Sequence, residues 1–241
     1  QGRVALVTGA SRGIGAAVAR RFAAEGAELA LVARTVAGLG ETDDAVRKAG
    51  GHATLVPLDL TDFPAIDRLG QAIWERHRKL DVLVANAAAL GTLTPIHQIR
   101  PEEWQQVMDL NVTANWRLIR AMHPLLKASD SGRAMFVSSG GSTRPPAYWG
   151  SYAVSKAALD MTAGIYAAET RRGTIRVNIV DPGVVRTRMR AAAFPGEDPM
   201  TLPEPDEITD SFVVLASAEC TRHGERVDGG KPRRSRPDQS A

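Results

Sequence analysis

Thr8-Gly9-Ala10-Ser11-Arg12-Gly13-Ile14-Gly15 spaces three glycines as G-x-x-x-G-x-G, directly after the apolar run Val4 to Thr8 and directly before a stretch of helical periodicity. Strand, glycine turn and helix in that order build an anion site, because the unpaired amides and the dipole of a helix N-terminus favour negative charge. Side chains at the glycine positions would keep a pyrophosphate away from those amides. Gly9, Gly13 and Gly15, with Ser11, Arg12 and Ile14 between them, are therefore candidate contacts of a dinucleotide. The glycines alone are a weak signal; their place between strand and helix gives them weight.

Outward from this turn, strand-like apolar runs alternate with helical stretches, the pattern of βα units around a mostly parallel, doubly wound sheet with helices on both faces. Seven strands are expected, at Val4 to Thr8, Glu28 to Val32, Ala53 to Pro57, Asp81 to Ala85, Arg133 to Ser138, Ile175 to Val180 and Arg226 to Asp228. Helices are expected over Ile14 to Glu25, closed by Gly26, and over Thr42 to Ala49, closed by Gly50-Gly51. Others span Phe63 to Arg78, Pro101 to near Ser129 with a bend at Pro124, and Ser151 to near Arg171, and a last amphipathic helix follows Pro205. Val184 to Pro205 has no clear period, and a long irregular insert in such a domain is often functional.

With 241 residues, 44% of them apolar and 24% charged, the chain fits one α/β domain, expected over residues 1–230. No apolar run approaches the roughly 20 residues that a membrane span needs. The formal charge of +3 resides in Lys231, Arg233, Arg234 and Arg236 against Asp238, which leaves the preceding residues balanced. Residues 231–241 thus read as a disordered basic tail, and no specific nucleic-acid partner is expected. A lone Cys220 cannot form an intrachain disulfide, and the chain enters a strand by Val4 with no signal-like segment before it, which points to a cytoplasmic protein. The histidines at 52, 77, 97, 123 and 223 share no ligand spacing, so no metal site is expected.

Arg34 follows the second strand, 19 residues after Gly15, where dinucleotide folds place the residue that reads the adenosine ribose. A guanidinium there donates to a 2′-phosphate where a carboxylate would repel it. Arg34 and Arg12 together favour NADP(H), with NAD(H) still possible. Asp59, in Leu58-Asp59-Leu60, could accept from an adenine amine or cap the next helix, and Asn86-Ala87-Ala88 offers small residues beside a flat ligand or a plain tight turn. A rival reading takes Gly9-Ala10-Ser11-Arg12-Gly13 as the G-x-S-x-G elbow of a serine hydrolase, with Asp181 or Asp206 and His223 completing a triad around Ser11.

Tyr152 and Lys156 lie four residues apart at the start of a helix, so phenol and ammonium share one face. A phenol working near neutrality needs its pKa lowered by roughly 3 units, and a nearby ammonium supplies the right sign of field. Ser139, at the end of the fifth strand, could meet the phenol at the carboxyl edge of the sheet, whereas Ser138 points to the opposite side. Asn111, inside the long helix, could bond a neighbouring backbone group or hold a water near Lys156. Gly140 to Trp149 and the insert are the expected substrate walls, with Trp149, Met189, Phe194 and Met200 as apolar surface and Arg186, Arg188 and Arg190 as solvated or anion-attracting charges.

With these residues in view, the chain resembles the short-chain dehydrogenase/reductase family from Val4 to Gly230. Thr8 to Gly15 looks like that family's cofactor motif, Asp59 its adenine contact, Asn111 its helix asparagine, and Ser139, Tyr152 and Lys156 its catalytic residues. Asn178 and Pro182-Gly183-Val184-Val185-Arg186-Thr187 resemble its nicotinamide-contacting segment, with Val184 and Thr187 as contacts. Ala88 departs from the pattern, adding a methyl where the family commonly has glycine. The resemblance implies a Rossmann-type seven-stranded sheet in a three-layer sandwich, a homodimer or homotetramer, and interconversion of a carbonyl and an alcohol by hydride transfer. In it Tyr152 exchanges the proton, Ser139 holds the oxygen, Lys156 binds the nicotinamide ribose and Asn111 orders a water. A dinucleotide-binding sensor or scaffold without turnover is the alternative on the same fold.

Overall fold

A computed structural model describes residues 2–230, and the basic tail lies outside them. Its seven strands are β1 (Val4–Thr8), β2 (Glu28–Ala33), β3 (His52–Pro57), β4 (Val82–Ala85), β5 (Arg133–Val137), β6 (Arg176–Asp181) and β7 (Arg226–Asp228). They form one sheet in the order β3-β2-β1-β4-β5-β6-β7, every pairing parallel. β1, β4 and β5 are buried at every position, as central parallel strands covered on both faces must be. Alternation along β1 sends Leu6 to one core and Ala5 and Val7 to the other. The first core includes Leu118 and Met122 of α5 (Ala114–Lys127); the second includes Val18 and Phe22 of α1 (Gly13–Ala24) and Phe212 of α8 (Thr209–Ala216). This is the doubly wound Rossmann-type sandwich, and its strand order reverses between β1 and β4, which opens a crevice beyond their carboxyl ends.

Strand ends fall within a residue of expectation, but the helices differ in three places. α2 (Val36–Lys48) begins six residues before Thr42. α3 (Phe63–His77) is capped by Asp62, whose carboxylate accepts from the Ala65 amide at 3.3 Å, so Asp59 is not the cap. The long helix is interrupted well before Pro124: α4 (Pro101–Met108) passes through a π-turn, Asp109–Thr113, into α5, and Pro124 lies inside α5 near its end. The wider turn buries Asn111 completely and lets Asn115 Nδ2 donate to the Asn111 carbonyl at 2.8 Å. Completing the helices are α6 (Gly150–Thr170) and, within the irregular insert, the short α7 (Arg188–Ala193). Cys220 packs, partly buried, against the second core. Among the described residues no helix is long and apolar enough to cross a membrane.

Candidate active site

The crevice at the strand reversal is a cleft of about 820 Å³ running from Arg34 to Trp149. At one end, Gly9 and Gly13 adopt φ of +65° and +56°, conformations that glycine enters without steric cost. Among the described residues no side chain caps α1, and its first turn carries no acid, so its leading amides are free for an anion. Gly15 has a different role. A Cβ there would press on the Gly9 carbonyl and come within 2.7 Å of Asn86 Nδ2, so its bareness serves the fit of turn to helix. Asn86 fastens that turn: Nδ2 donates to the Thr8 carbonyl at 2.9 Å, and the Thr8 hydroxyl accepts from the Asn86 and Ala87 amides at 2.9 and 3.1 Å.

Arg34 projects from the end of β2, two-thirds exposed, with Nη1 3.9 Å from Asp59 Oδ2. Burial pushes the Asp59 carboxyl up, but bonds from the Thr61 amide and hydroxyl, with the Arg34 charge, hold it below the usual range. Arg12, Arg34 and the open helix end fit a pyrophosphate and an additional phosphate, and Asp59 with Leu60 lines the wall beside them.

At the other end, Tyr152 and Lys156 stand on the first turns of α6, both nearly inaccessible. Lys156 Nζ donates to the Val137 carbonyl at 2.7 Å and lies 5.8 Å from the phenol ring centre. Burial pushes the ammonium down to about 8 despite the opposing field of Asp160. The Tyr152 phenol moves opposite to expectation: burial raises it, the Ser139 hydroxyl lowers it by hydrogen bonding, and Asp181 raises it again. A phenolate stripped of water is costly, and the lysine charge meant to offset that cost is itself weakened and tied to a carbonyl. Ser139 and Ser138 both touch the cleft. Of the two, Ser139 is the one whose hydroxyl lowers the phenol, and that hydroxyl also accepts from the Gly141 amide at 3.2 Å, while the buried Ser138 donates its amide to Val180 O at 2.8 Å.

Asn111 bonds its neighbours rather than facing the cleft. Its Oδ1 accepts from the Ala89 amide at 2.8 Å, and its Nδ2 donates to the Ala89 carbonyl and the Ser155 hydroxyl, each at 2.9 Å. Of the expected site residues, Gly9, Ser11, Arg12, Gly13, Ile14, Arg34, Asp59, Leu60, Asn86, Ala87, Ser139, Tyr152, Lys156, Pro182, Gly183 and Thr187 all line the cleft, as does Ala88. Gly15, Asn111 and Val184 are not among its lining residues; Val184 faces solvent, and the buried Val185 lines the wall instead. Asn178 also turns away, bonding Arg222 O and the Glu225 amide.

On the substrate side Met189 lines the wall, and Trp149 sits with its ring centre 5.7 Å from those of both Tyr152 and Phe194. Arg190 stacks 3.6 Å over Phe194 and is held by Glu197 at 2.6 and 2.7 Å, while Arg186 pairs with Glu204. Of the three insert arginines, Arg188 is the exposed one, and Met200 is three-quarters exposed. The hydrolase reading does not survive. His223 spends both ring nitrogens on the Val177 amide and the Ala167 carbonyl, Asp206 pairs with Arg20, and Asp181 pairs with Arg226. Sequence reasoning also passed over Arg226, which stands in the three-residue β7 just before the family-like run Val227-Asp228-Gly229-Gly230 and is not part of it.

Comparison with known proteins agrees with this geometry. The sequence profile of the family described as short chain dehydrogenase matches residues 3–198. The uncharacterised oxidoreductase YciK of Escherichia coli strain K12 is 36% identical over 223 residues, covering 91% of this chain and 88% of the relative. A short chain dehydrogenase from Salmonella enterica serovar Typhi superposes with a TM-score of 0.92 at 34% identity, covering 96% of this chain and 97% of its own. An Escherichia coli CFT073 chain solved as a complex with NADPH gives a TM-score of 0.91 at 35% identity, covering 95% and 97%.

Proposed function

This chain belongs to the short-chain dehydrogenase family of oxidoreductases, and we propose that within it the protein interconverts a carbonyl and a primary or secondary alcohol with NADP(H), using Tyr152 as general acid and base. The observation that carries this reading is one cleft with an anion cradle at one end and, at the other, Ser139 beside the buried Tyr152 and Lys156. When bound, the nicotinamide exchanges a hydride with the substrate carbon. The chain's own part is to bind and to move a proton. Arg12, Gly13 and Ile14 at the α1 end would hold the pyrophosphate and Arg34 the 2′-phosphate. Pro182, Gly183 and Thr187 would flank the nicotinamide. Tyr152, protonated at neutral pH, gives its phenolic proton to the carbonyl oxygen that the Ser139 hydroxyl orients. Lys156 would hold the ribose. Because the Asn111 carboxamide is spent on Ala89 and Ser155, a water ordered by this residue would rest on its main-chain carbonyl.

The solved NADPH complex of a relative supports NADP(H) as the cofactor. A second copy of the chain, as dimer or tetramer, would cover Val154, Met161 and Ile165, a row of exposed apolar residues on outer α6. Residues 1–230 would form the one catalytic domain, in the cytoplasm. The experiment is NADPH consumption across ketones, aldehydes, quinones and 3-oxoacyl thioesters, with Tyr152→Phe in parallel. Turnover by the native chain and its loss in Tyr152→Phe, with NADPH affinity kept, is the expected result. No turnover across the panel, with tight NADPH binding, would favour a sensor, and full turnover in Tyr152→Phe would remove the tyrosine from its role.

A further inference from the structure

We propose that Arg226 is the positioning residue of this site: from β7 its guanidinium fixes the Ser139 main chain and neutralises Asp160 and Asp181, the carboxylates beside the Tyr152–Lys156 pair. The proposal rests on the catalytic reading of Ser139, Tyr152 and Lys156. One nitrogen, Nη1, donates to Asp160 Oδ2 at 2.6 Å and to the Ser142 hydroxyl at 3.0 Å; the other, Nη2, donates to the Ser139 carbonyl at 2.7 Å and to Asp181 Oδ2 at 2.8 Å. These four acceptors come from α6, from the turn after β5, from the end of β5 and from the end of β6. A planar fork with donors in fixed directions can hold them together, which a single ammonium cannot.

Each partner bears on the reacting groups. Ser139 supplies the hydroxyl at the phenol, so a main chain free to shift there loses that contact. Asp160 lies one helical turn after Lys156, and its field acts on the ammonium. Asp181 acts on the phenol. The groups around the Tyr152–Lys156 pair are thus Asp160 from α6, acting on Lys156, Ser139 from the turn after β5 and Asp181 from β6, acting on Tyr152, and, behind both acids, Arg226 from β7. In the insert, Arg186 and Arg190 carry their own acids, Glu204 and Glu197, and Arg188 is exposed. Removing Arg226 therefore leaves Asp181 uncompensated beside the phenol and leaves Asp160 with Lys156 alone.

The test labels tyrosine with ¹³C at Cζ, which gives three signals, from Tyr148, Tyr152 and Tyr166, with Tyr152 assigned by its loss in Tyr152→Phe. In Arg226→Met the Tyr152 titration should rise by about one pH unit, since an added uncompensated negative charge disfavours phenolate. In Arg226→Met/Asp181→Asn it should return to the native value or below. NADPH consumption with the best ketone of the panel should lose about tenfold in kcat in Arg226→Met, with KM for NADPH within about twofold, from the freed Ser139. Arg226→Lys, which keeps charge but not the fork, should restore the titration and not kcat. An unchanged Tyr152 titration in Arg226→Met, or no return in the double variant, overturns the electrostatic role; native kcat in Arg226→Met or Arg226→Lys overturns the fork. If Arg226→Met does not fold, Asp181→Asn alone decides: a fall in the Tyr152 titration is expected, and no fall overturns the proposal. Because the titration needs no turnover, it stands apart from Tyr152→Phe kinetics, where retained turnover would sink the catalytic reading itself.

Discussion

Replacing Gly15 by alanine asks what the third glycine of the turn is for. A Cβ at Gly15 would sit 2.7 Å from Asn86 Nδ2 and 2.9 Å from the Gly9 carbonyl carbon, where ordinary contact begins at 3.4 Å. Neither neighbour can retreat freely, because Gly9 continues from β1 and Asn86 Nδ2 is bonded to the Thr8 carbonyl at 2.9 Å. Opening at least half an ångström between turn and helix is an overpacking strain of ~1–3 kcal/mol, and weakening the Asn86 bond adds ~1 kcal/mol. A total of about 3 kcal/mol corresponds to a fall of roughly 6–12 °C in Tm for a chain of this size. Gly13→Ala has room, its nearest neighbour being Thr187 Cγ2 at 3.5 Å, but a left-handed backbone, so it should cost only ~1–2 kcal/mol. Gly40→Ala meets nothing within 4 Å inside α2 and should stabilise by ~0.5–1 kcal/mol. Urea and thermal unfolding of the three variants give the order, and NADPH titration follows binding. A Gly15→Ala protein melting within about 2 °C of the native one would refute the packing argument.

Arg34→Asp should leave stability nearly unchanged, because the exposed 3.9 Å pair with Asp59 is of a kind worth at most ~1 kcal/mol. It should lower the NADPH-to-NADH ratio of kcat/KM by about 10–100-fold, the worth of a charge-assisted contact to phosphate; an unmoved ratio would show that Arg34 does not read the 2′-phosphate. Asp81, buried at the opposite edge of the sheet, is raised by burial, but bonds from the Ser129 hydroxyl, the Val4 amide and Lys79 hold it below its ordinary value. Its stabilisation is therefore complete above the unfolded carboxylate value of about 3.9 and lost as pH falls through the lower folded value. Asp81→Asn should lower the urea midpoint at pH 7 and flatten its dependence below pH 4. An acid limb as steep as the native one would place the titrating group elsewhere.

What could be read from the chain was what depends on neighbours in sequence. The strand-turn-helix at Thr8 to Gly15 and the four-residue spacing of Tyr152 and Lys156 fix their own geometry; alternation separated Ser139 from Ser138 less cleanly, because β5 ends at Val137 and both serines line the cleft. Roles set by distant segments were not legible. Asn111 could be read either as bonding a neighbouring backbone or as holding a water, and the choice of the Ala89 backbone rests on a π-turn that nothing in the sequence announces. Val184 looked like a wall residue because the register of an irregular insert has no period to reveal which of Val184 and Val185 faces inward. Arg226 was invisible for the same reason, its four acceptors lying between 45 and 87 residues away.

The same distinction governs the electrostatics of the tyrosine. Spacing puts an ammonium beside Tyr152 and suggests a lowered phenol, but the sign of the result depends on what else is buried there. Lys156 gives its proton-bearing nitrogen to the Val137 carbonyl and is pushed down to about 8, while Asp181 faces the phenol. The chain by itself therefore favours the protonated phenol, which on the proposed mechanism is the form that gives a proton to a carbonyl oxygen. On that mechanism, taking a proton from an alcohol needs more positive charge at the phenol than the weakened Lys156 ammonium supplies, and an oxidised nicotinamide ring would bring it. It follows that the pH dependence of the two directions should differ: reduction persisting well into the alkaline range, and oxidation rising there. A reduction rate that fell away through neutrality, in step with an ordinary lowered phenol, would contradict the buried geometry from which this asymmetry is drawn.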